Sequence, residues 1–389
     1  MLSKENFGIF TAAFNVFSVV YLFSGLGISS GILYYGSRSD HRSERKSIYR
    51  FSLIFGIASE AVLSLAMLLY ALIAESGIAE SKRYIFVLVP LPFIAFIFDY
   101  FAIILRTEKD NKKYSYLLNI NTCLYAVLAV AGSMAFGIIG TIIGRYLAYA
   151  ASCVVGIVFC REHLHIGKEN KTSLDKKTKS VLLKYSVKAG LTSALNNILY
   201  RLDVFIIATL VANASILASY KVGTQIPENM NFIPQSIMVF ILPIIVEKSG
   251  DKAWLREKIK KLYLVMFLLI GMLSIVMFIT APWLITTIWG NNYKDAVACY
   301  RILTVSFFFL STFRLTSTNI LLSLGKAGFT LVVSIVTGIM NLLLDILLTL
   351  KYGSIGSAYA TMIVTIFAAL LSFPYVIVLI YKKGETVSE

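Results

Sequence analysis

Residues 114–160 read YSYLLNINTCLYAVLAVAGSMAFGIIGTIIGRYLAYAASCVVGIVFC, and a single charged side chain, Arg145, interrupts them. The run is about twice the ~20 apolar residues needed to cross 30 Å of hydrocarbon. At its middle stands Phe136-Gly137-Ile138-Ile139-Gly140-Thr141. The stretch therefore predicts two helical spans, 114–136 and 138–160, joined by a tight reversal in which glycine supplies the backbone freedom. The same reversal recurs as Tyr352-Gly353-Ser354-Ile355-Gly356-Ser357, at an offset of 353 − 137 = 216. Phe7-Gly8 lies on Val222-Gly223 at an offset of 223 − 8 = 215. Two matches at nearly one spacing predict an internal repeat.

Working outward, further apolar runs fall at 7–36, 48–74, 84–105, 185–211, 214–246, 262–289, 298–323, 327–350 and 354–381. With the first two, these make eleven spans. The chain is 58% hydrophobic and 15% charged, with a mean hydropathy of +0.77, where a soluble domain carries about 25% charged residues. The expected fold is an all-α, polytopic transmembrane bundle with two pseudo-symmetric lobes. Residues 1–160 form the first lobe, 161–184 a basic linker, 185–381 the second lobe and 382–389 a tail. In this register the span 185–211 has no counterpart in the first half, which predicts that one helix is missing before Met1. Cys123, Cys153, Cys160 and Cys299 all lie in or beside apolar runs without CxxC spacing, as packing residues do.

The net charge of +15 is distributed as a membrane protein requires, not as a nucleic-acid-binding face. Alternate connections hold Arg38 to Arg50, Arg106 to Lys113, Arg161 to Lys188, Lys248 to Lys261, Lys326, and Lys382 with Lys383. The opposite connections hold only Lys4, Lys82, Arg83, Lys294 and Lys351. The positive-inside rule assigns the first set, and with it the carboxyl terminus, to the cytoplasm. The amino terminus then lies outside, and no cleavable signal peptide precedes the first apolar run.

Asn6-Phe7-Gly8-Ile9-Phe10, Gly25-Leu26-Gly27-Ile28 with Tyr34-Tyr35-Gly36, Asp203 to Ile207 followed by Ala218-Ser219-Tyr220, and the two Gly-x-Ile-Gly turns together carry a resemblance over nearly the whole chain. It resembles the multidrug/oligosaccharidyl-lipid/polysaccharide exporter superfamily, and within it the bacterial polysaccharide (O-antigen and capsule repeat-unit) flippases. The resemblance implies two six-helix lobes around a cavity that opens alternately to either side. It implies a polyprenyl-pyrophosphate-linked oligosaccharide as substrate, carried from the cytoplasmic to the periplasmic leaflet of the inner membrane. The implied partners are that lipid-linked substrate, the bilayer and other polysaccharide-assembly membrane proteins. No cofactor is expected, and the coupling ion is open between a proton and sodium.

Ionisable side chains inside spans cost about 2.5–3.5 kcal/mol each at a helix centre on insertion scales, so they face a cavity or a partner. Here they are Glu60, Asp99, Arg145, Arg201, Asp203, Lys221, Glu228 and Arg314. A pyrophosphate calls for forked, permanently charged donors, which makes Arg145, Arg201 and Arg314 the candidate ligands. Arg201 is favoured, one turn from Asn196 and Asn197, with Tyr200 and Tyr220 as candidate stacking surfaces for sugar. Glu228 follows Pro227 inside a proline-bearing span and is a candidate coupling carboxylate on a hinge. Asp99, Asp203 and Glu60 are candidates for the same role. Arg301 lies near the outer end of its span and is expected at the interface.

A drug or cation antiporter shares this expected architecture, but cationic residues in a cavity favour an anionic substrate. A membrane polymerase or ligase of polysaccharide assembly needs a substantial outer loop, and the outer connections near 75–83 and 290–297 are short. His41, His163 and His165 all lie in expected cytoplasmic loops, with no metal-ligand cluster and no catalytic residues assigned. No phosphate-binding Gly-x-x-x-x-Gly-Lys-Ser/Thr loop is present in the sequence, which disfavours an ATP-driven pump.

Overall fold

The computed structural model describes residues 2–39, 42–73, 77–164, 174–248 and 250–381, and within its helices the side chains of all but residues 38, 42, 195–200, 243 and 327. The described residues are helical, with short turns between helices. Hydrocarbon offers a backbone amide no partner, and a helix supplies one inside its own segment.

The chain forms two compact units, Met1–Phe205 and Ile206–Glu389. In the first, α1 (Lys4–Tyr21) and α2 (Ile28–Arg38) share the first expected span and α3 (Arg42–Ile73) is the second. Next, α4 (Ser81–Leu88) and α5 (Leu91–Thr107) share the third, α6 (Asn111–Leu164) is the long run of residues 114–160, and α7 (Lys176–Ile206) closes the unit. The second unit contains α8 (Ala214–Met230), α9 (Phe232–Glu247), α10 (Lys252–Trp289), α11 (Ala296–Phe309), α12 (Thr316–Ser323), α13 (Ala327–Tyr352) and α14 (Ser354–Tyr381).

Inside α6 the expected reversal is present. Gly137 takes φ 59° and ψ −133°, a conformation that L side chains avoid. Beyond it the two limbs of the hairpin run so close that Gly132 and Gly140 meet backbone to backbone, with no room for a Cβ on either. The repeat is reproduced in the second unit. Gly353 takes φ 61° and ψ −142°, and Gly356 presses on the backbone of Leu348 as Gly140 does on that of Gly132. The helix starts keep the same offset: α6 begins at Asn111 and α13 at Ala327 (327 − 111 = 216).

Two expected spans are broken. The first is interrupted after Tyr21 by a turn in which Gly25, Leu26 and Gly27 all take left-handed φ, at 56°, 46° and 76°. The third bends by 47° between α4 and α5, where Pro90 and Pro92 remove two amide donors and crowd the preceding turn.

Among the described residues, eight helices or near-continuous helix pairs are long and apolar enough to cross a membrane, and the bent α4–α5 pair is a ninth. The reversal in α6 divides one of the eight into two. Only α7, the expected span at 185–211, stays outside that set. At 31 residues it is about 46 Å long, but it carries Lys184, Lys188, Arg201 and Asp203 along its length.

The sequence reading puts a linker at 161–184 and starts the second lobe at 185, whereas the first compact unit runs to Phe205 and takes in nearly all of α7. Gly27 and Gly190 touch through their backbones, Ser186 fills the space above Gly31, and Tyr185 stacks on Tyr34 with ring centroids 4.5 Å apart. These contacts with α2 place α7 in the first unit. Small residues let helix backbones approach this closely, and dispersion between them then holds the pair in a solvent as apolar as the helices themselves.

Outside the packed seams the helices present apolar side chains, among them Ile54, Val62, Leu65 and Leu69 on α3 and Leu268, Met272, Ile275 and Ile279 on α10. Stripes of this kind suit contact with hydrocarbon. The Lys/Arg-rich ends are clipped together: Glu108 after α5 takes Arg45 at 3.0 Å and the Tyr49 hydroxyl at 2.7 Å. In the second unit Arg256 Nε donates to the last-turn carbonyl of Ile380 at 2.8 Å.

Gly190→Val drives a side chain into the backbone of Leu26 and Gly27 and is expected to lower the thermal midpoint of the purified protein by roughly 5–10 °C, the effect of about 1–3 kcal/mol of overpacking. Gly271→Ala serves as the control. Its new Cβ meets only the Phe308 ring at 3.5 Å, and the midpoint should stay in place.

Candidate functional site

The break in the first span leaves amides without helical partners in the middle of the unit. Glu60, fully buried on α3, faces it. Its Oε1 accepts from the Ser24 hydroxyl at 2.6 Å and from the Gly25 N–H at 2.7 Å. The carboxylate thus holds the turn, a structural duty the sequence did not disclose.

A second carboxylate, Asp99 on α5, accepts from the Tyr21 hydroxyl at 2.6 Å, at the last residue of α1. The Arg145 guanidinium on the second limb of α6 is near enough to attract it, and Glu60 is near enough to repel it. Arg145 itself is half-buried. Its Nη2 donates to the Tyr149 hydroxyl at 2.8 Å, and its guanidinium carbon lies 4.2 Å from the Tyr125 ring centroid and 4.5 Å from that of Tyr149. Aromatic faces stabilise a guanidinium by about 0.5–2 kcal/mol each, more where water is absent. Three of the sequence candidates, Glu60, Asp99 and Arg145, are therefore brought together in one polar cluster lined by Tyr21, Tyr125 and Tyr149. Nearby, Ser152 donates to Asn121 at 3.3 Å.

The favoured arginine, Arg201, belongs to the exposed residues of α7. Its carbonyl accepts from the buried Asn15 amide at 3.3 Å, which fixes the helix against α1 and leaves the guanidinium free of any hydrogen bond or ion pair among the described residues. Asp203, two residues further on, is half-buried. The side chains of Asn196, Asn197 and Tyr200 lie outside the described residues.

In the second unit Glu228 is paired with Lys221 on the same helix at 3.0 Å. Pro227 is buried within α8, and the helix runs on past it to break at Asn231, so the discontinuity falls one turn later than the proline suggests. Arg314 sits in a wide helical turn, Leu310–Leu315, between α11 and α12. Such turns recur at functional sites. Ser311 in the same turn donates to Asn231 at 3.3 Å. Tyr220 is fully buried and offers no face to a sugar. Arg301 donates to the Phe278 carbonyl at 3.2 Å and lies over its ring.

Sequence reasoning missed Asp345. It is fully buried in α13, where it accepts from Thr349 at 3.4 Å; Thr349 in turn shares a 2.7 Å hydrogen bond with Ser357 on α14. The signal was present, since Asp345 is the one carboxylate in the apolar run 327–350. Among the described residues no group of three or more His, Cys, Asp or Glu is placed to hold a metal ion.

Comparison with known proteins gives the family. Residues 1–298 match the family described as polysaccharide biosynthesis protein, and the chain belongs to it. An uncharacterized membrane protein of Methanocaldococcus jannaschii, MJ1375, is 24% identical over 254 residues, which is 63% of this chain and 60% of that protein. Among solved structures, an inward-facing multidrug resistance MATE family transporter of the MOP superfamily superposes with a TM-score of 0.74 at 16% identity, over 98% of this chain and 95% of that one. The lipid II flippase MurJ in an inward closed conformation gives 0.71 at 16% identity, over 96% of this chain and 82% of that one. The fold is that of these transporters, as the sequence resemblance implied.

Glu60→Ala removes the acceptor for Ser24 and Gly25 and is expected to cost about 1–3 kcal/mol, the penalty for orphaning a buried amide. Glu60→Gln keeps an acceptor oxygen and should retain most of that stability. Thermal unfolding of the two variants side by side separates the duty at the break from any duty of the charge.

Proposed function

We propose that this chain carries an oligosaccharide linked to a polyprenyl diphosphate from the cytoplasmic to the outer leaflet of the cytoplasmic membrane, by alternating access. Membership in the polysaccharide biosynthesis family carries this reading. Its chemical support is the set of arginines inside apolar spans, because a diphosphate in a dehydrated site needs permanently charged, forked donors. Of the three, Arg201, with its guanidinium exposed, and Arg314, in its wide turn, are the substrate ligands. Arg145 is already stacked on two tyrosines and attracted by Asp99, so it belongs with Asp99 and Glu60 to the coupling machinery, where a carboxylate takes up and releases a proton or a sodium ion. Asp345, Asp203 and Glu228 are further coupling carboxylates. The Lys/Arg asymmetry between the two faces sets the carboxyl terminus on the cytoplasmic side.

A second reading, export of a cationic drug, is favoured by the buried carboxylate Glu60, the half-buried carboxylate Asp99 and the fold shared with the multidrug transporter. The two separate cleanly. In cells lacking the gene, polyprenyl-diphosphate oligosaccharide should accumulate on the cytoplasmic leaflet, and the intact gene should clear it. Unchanged lipid-linked sugar together with increased sensitivity to cationic dyes would favour the antiporter.

In the same cells Arg201→Ala and Arg314→Ala should each reduce clearance by roughly 10- to 100-fold, the loss of one charged hydrogen-bonding group of about 1.5–3 kcal/mol. Arg145→Lys keeps the charge but loses the planar stack, and should lower the transport rate without lowering substrate binding. Wild-type clearance by both Arg201→Ala and Arg314→Ala would remove the arginine argument.

A further inference from the structure

On the Lys/Arg-rich face of the first unit, α2, α3 and α7 enclose a cavity of about 170 Å³ lined by Tyr35, Ser39, Glu44, Ile48, Thr178 and Leu182. From this chemistry we infer that the cavity is a subsite for one sugar ring of a diphosphate-linked saccharide, entered from the cytoplasmic side before the substrate crosses. The inference rests on the transport reading above and deepens it by assigning the place where the sugar is read.

Size comes first. Cavities for drug-sized ligands run to about 300–1,000 Å³, and this one holds a single ring. Its lining is mixed as a sugar ring is mixed. Tyr35 offers an aromatic edge and face, Ile48 and Leu182 an aliphatic wall against C–H groups, and Ser39, Thr178 and Glu44 oxygens to accept from hydroxyls. The polar atoms are pre-set. Ser39 donates to Glu44 Oε2 at 2.7 Å and so orients the carboxylate, whose second oxygen has no partner among the described residues. The Thr178 backbone N–H donates to Asp175 Oδ1 at 3.1 Å at the start of α7, which fixes the residue beside the cavity. Tyr35 is clamped by edge contacts to Tyr34 at 5.0 Å and Tyr185 at 5.6 Å, so its ring loses little freedom when a ligand arrives.

The surroundings select the rest of the ligand. Lys176 and Lys177 on the first turn of α7 are exposed, two residues and one residue before Thr178, and Lys179 follows with its ammonium 5.6 Å from the Phe51 ring centroid. Among the described residues no cation lines the cavity itself. A hydroxyl-bearing ring inside, donating to the Glu44 carboxylate, and an anionic group at the lysine-bearing rim match this layout. The two parts of a sugar diphosphate are thus recognised by separate groups, and the sugar part can be removed without touching the other.

The test uses the full chain in lipid nanodiscs and two probes, a polyprenyl diphosphate bearing one N-acetylhexosamine and the same lipid without sugar, with binding read by native mass spectrometry. Wild type should prefer the sugar-bearing lipid by roughly tenfold, the scale of one well-placed aromatic contact. Tyr35→Ala and Glu44→Gln should each bring the preference below about twofold while binding of the bare lipid stays unchanged. Tyr35→Phe, which keeps the ring and reports on folding, should keep the preference. Equal binding of both lipids by wild type, or an undiminished preference in Tyr35→Ala, overturns the subsite and leaves the transport reading standing. Failure of wild type to bind either lipid overturns both.

Discussion

Every peptide group placed in hydrocarbon must find its hydrogen bond within the protein, and in this chain that requirement converges on Glu60. A helix satisfies its own amides, so the cost arises where a helix stops. The first span stops in the middle of its unit, at a turn with three successive left-handed residues, and one buried carboxylate collects the Ser24 hydroxyl and the Gly25 amide. Because the turn is held, Gly27 can lie against Gly190, and α7 can pack on α2. The placement of α7 in the first unit, the seam of tyrosines and the cavity beside it all follow from that one break.

The polar cluster next to it shows how charge is kept in such a setting. Arg145 is held by two aromatic faces and a phenol, and Asp99 by a phenol and the nearby guanidinium. Neither charge is left bare, yet neither is locked in a short ion pair, since the partners are neutral hydroxyls and rings. Groups held in this way can change protonation or pairing at lower cost than a tight salt bridge, which must lose its whole Coulomb term when one partner leaves.

Much of the fold was legible in the sequence because hydrocarbon imposes a length on every element. The hairpin at Gly137 and its copy at Gly353 were readable from glycine spacing alone, and the copies agree in backbone angle as well as in position. What the sequence concealed depends on tertiary partners. Gly25-Leu26-Gly27 reads as three tolerable residues in an apolar run, and only the facing Glu60 makes a break there affordable. The span at 185–211 reads as the start of the second lobe, and only the fit of Gly190 and Ser186 to Gly27 and Gly31 shows where it packs. Arg145 and Asp99 were visible singly as charges in spans, but their tyrosine shell was not, because tyrosines in a membrane sequence read equally well as interfacial anchors. Asp345 was legible and overlooked.

The composition of α7 has a consequence for biogenesis. A segment with Arg201, Asp203 and two asparagines along its length gains little by leaving the translocation channel for lipid on its own. Its neighbours α1 and α2 are made first, and they already offer the glycine groove at residue 27 and the Asn15 amide that α7 fits. Insertion of α7 is then an act of docking onto protein that is already in the membrane, and the order of the chain, with this helix made after α2 and before the second repeat, makes the groove available when the helix emerges.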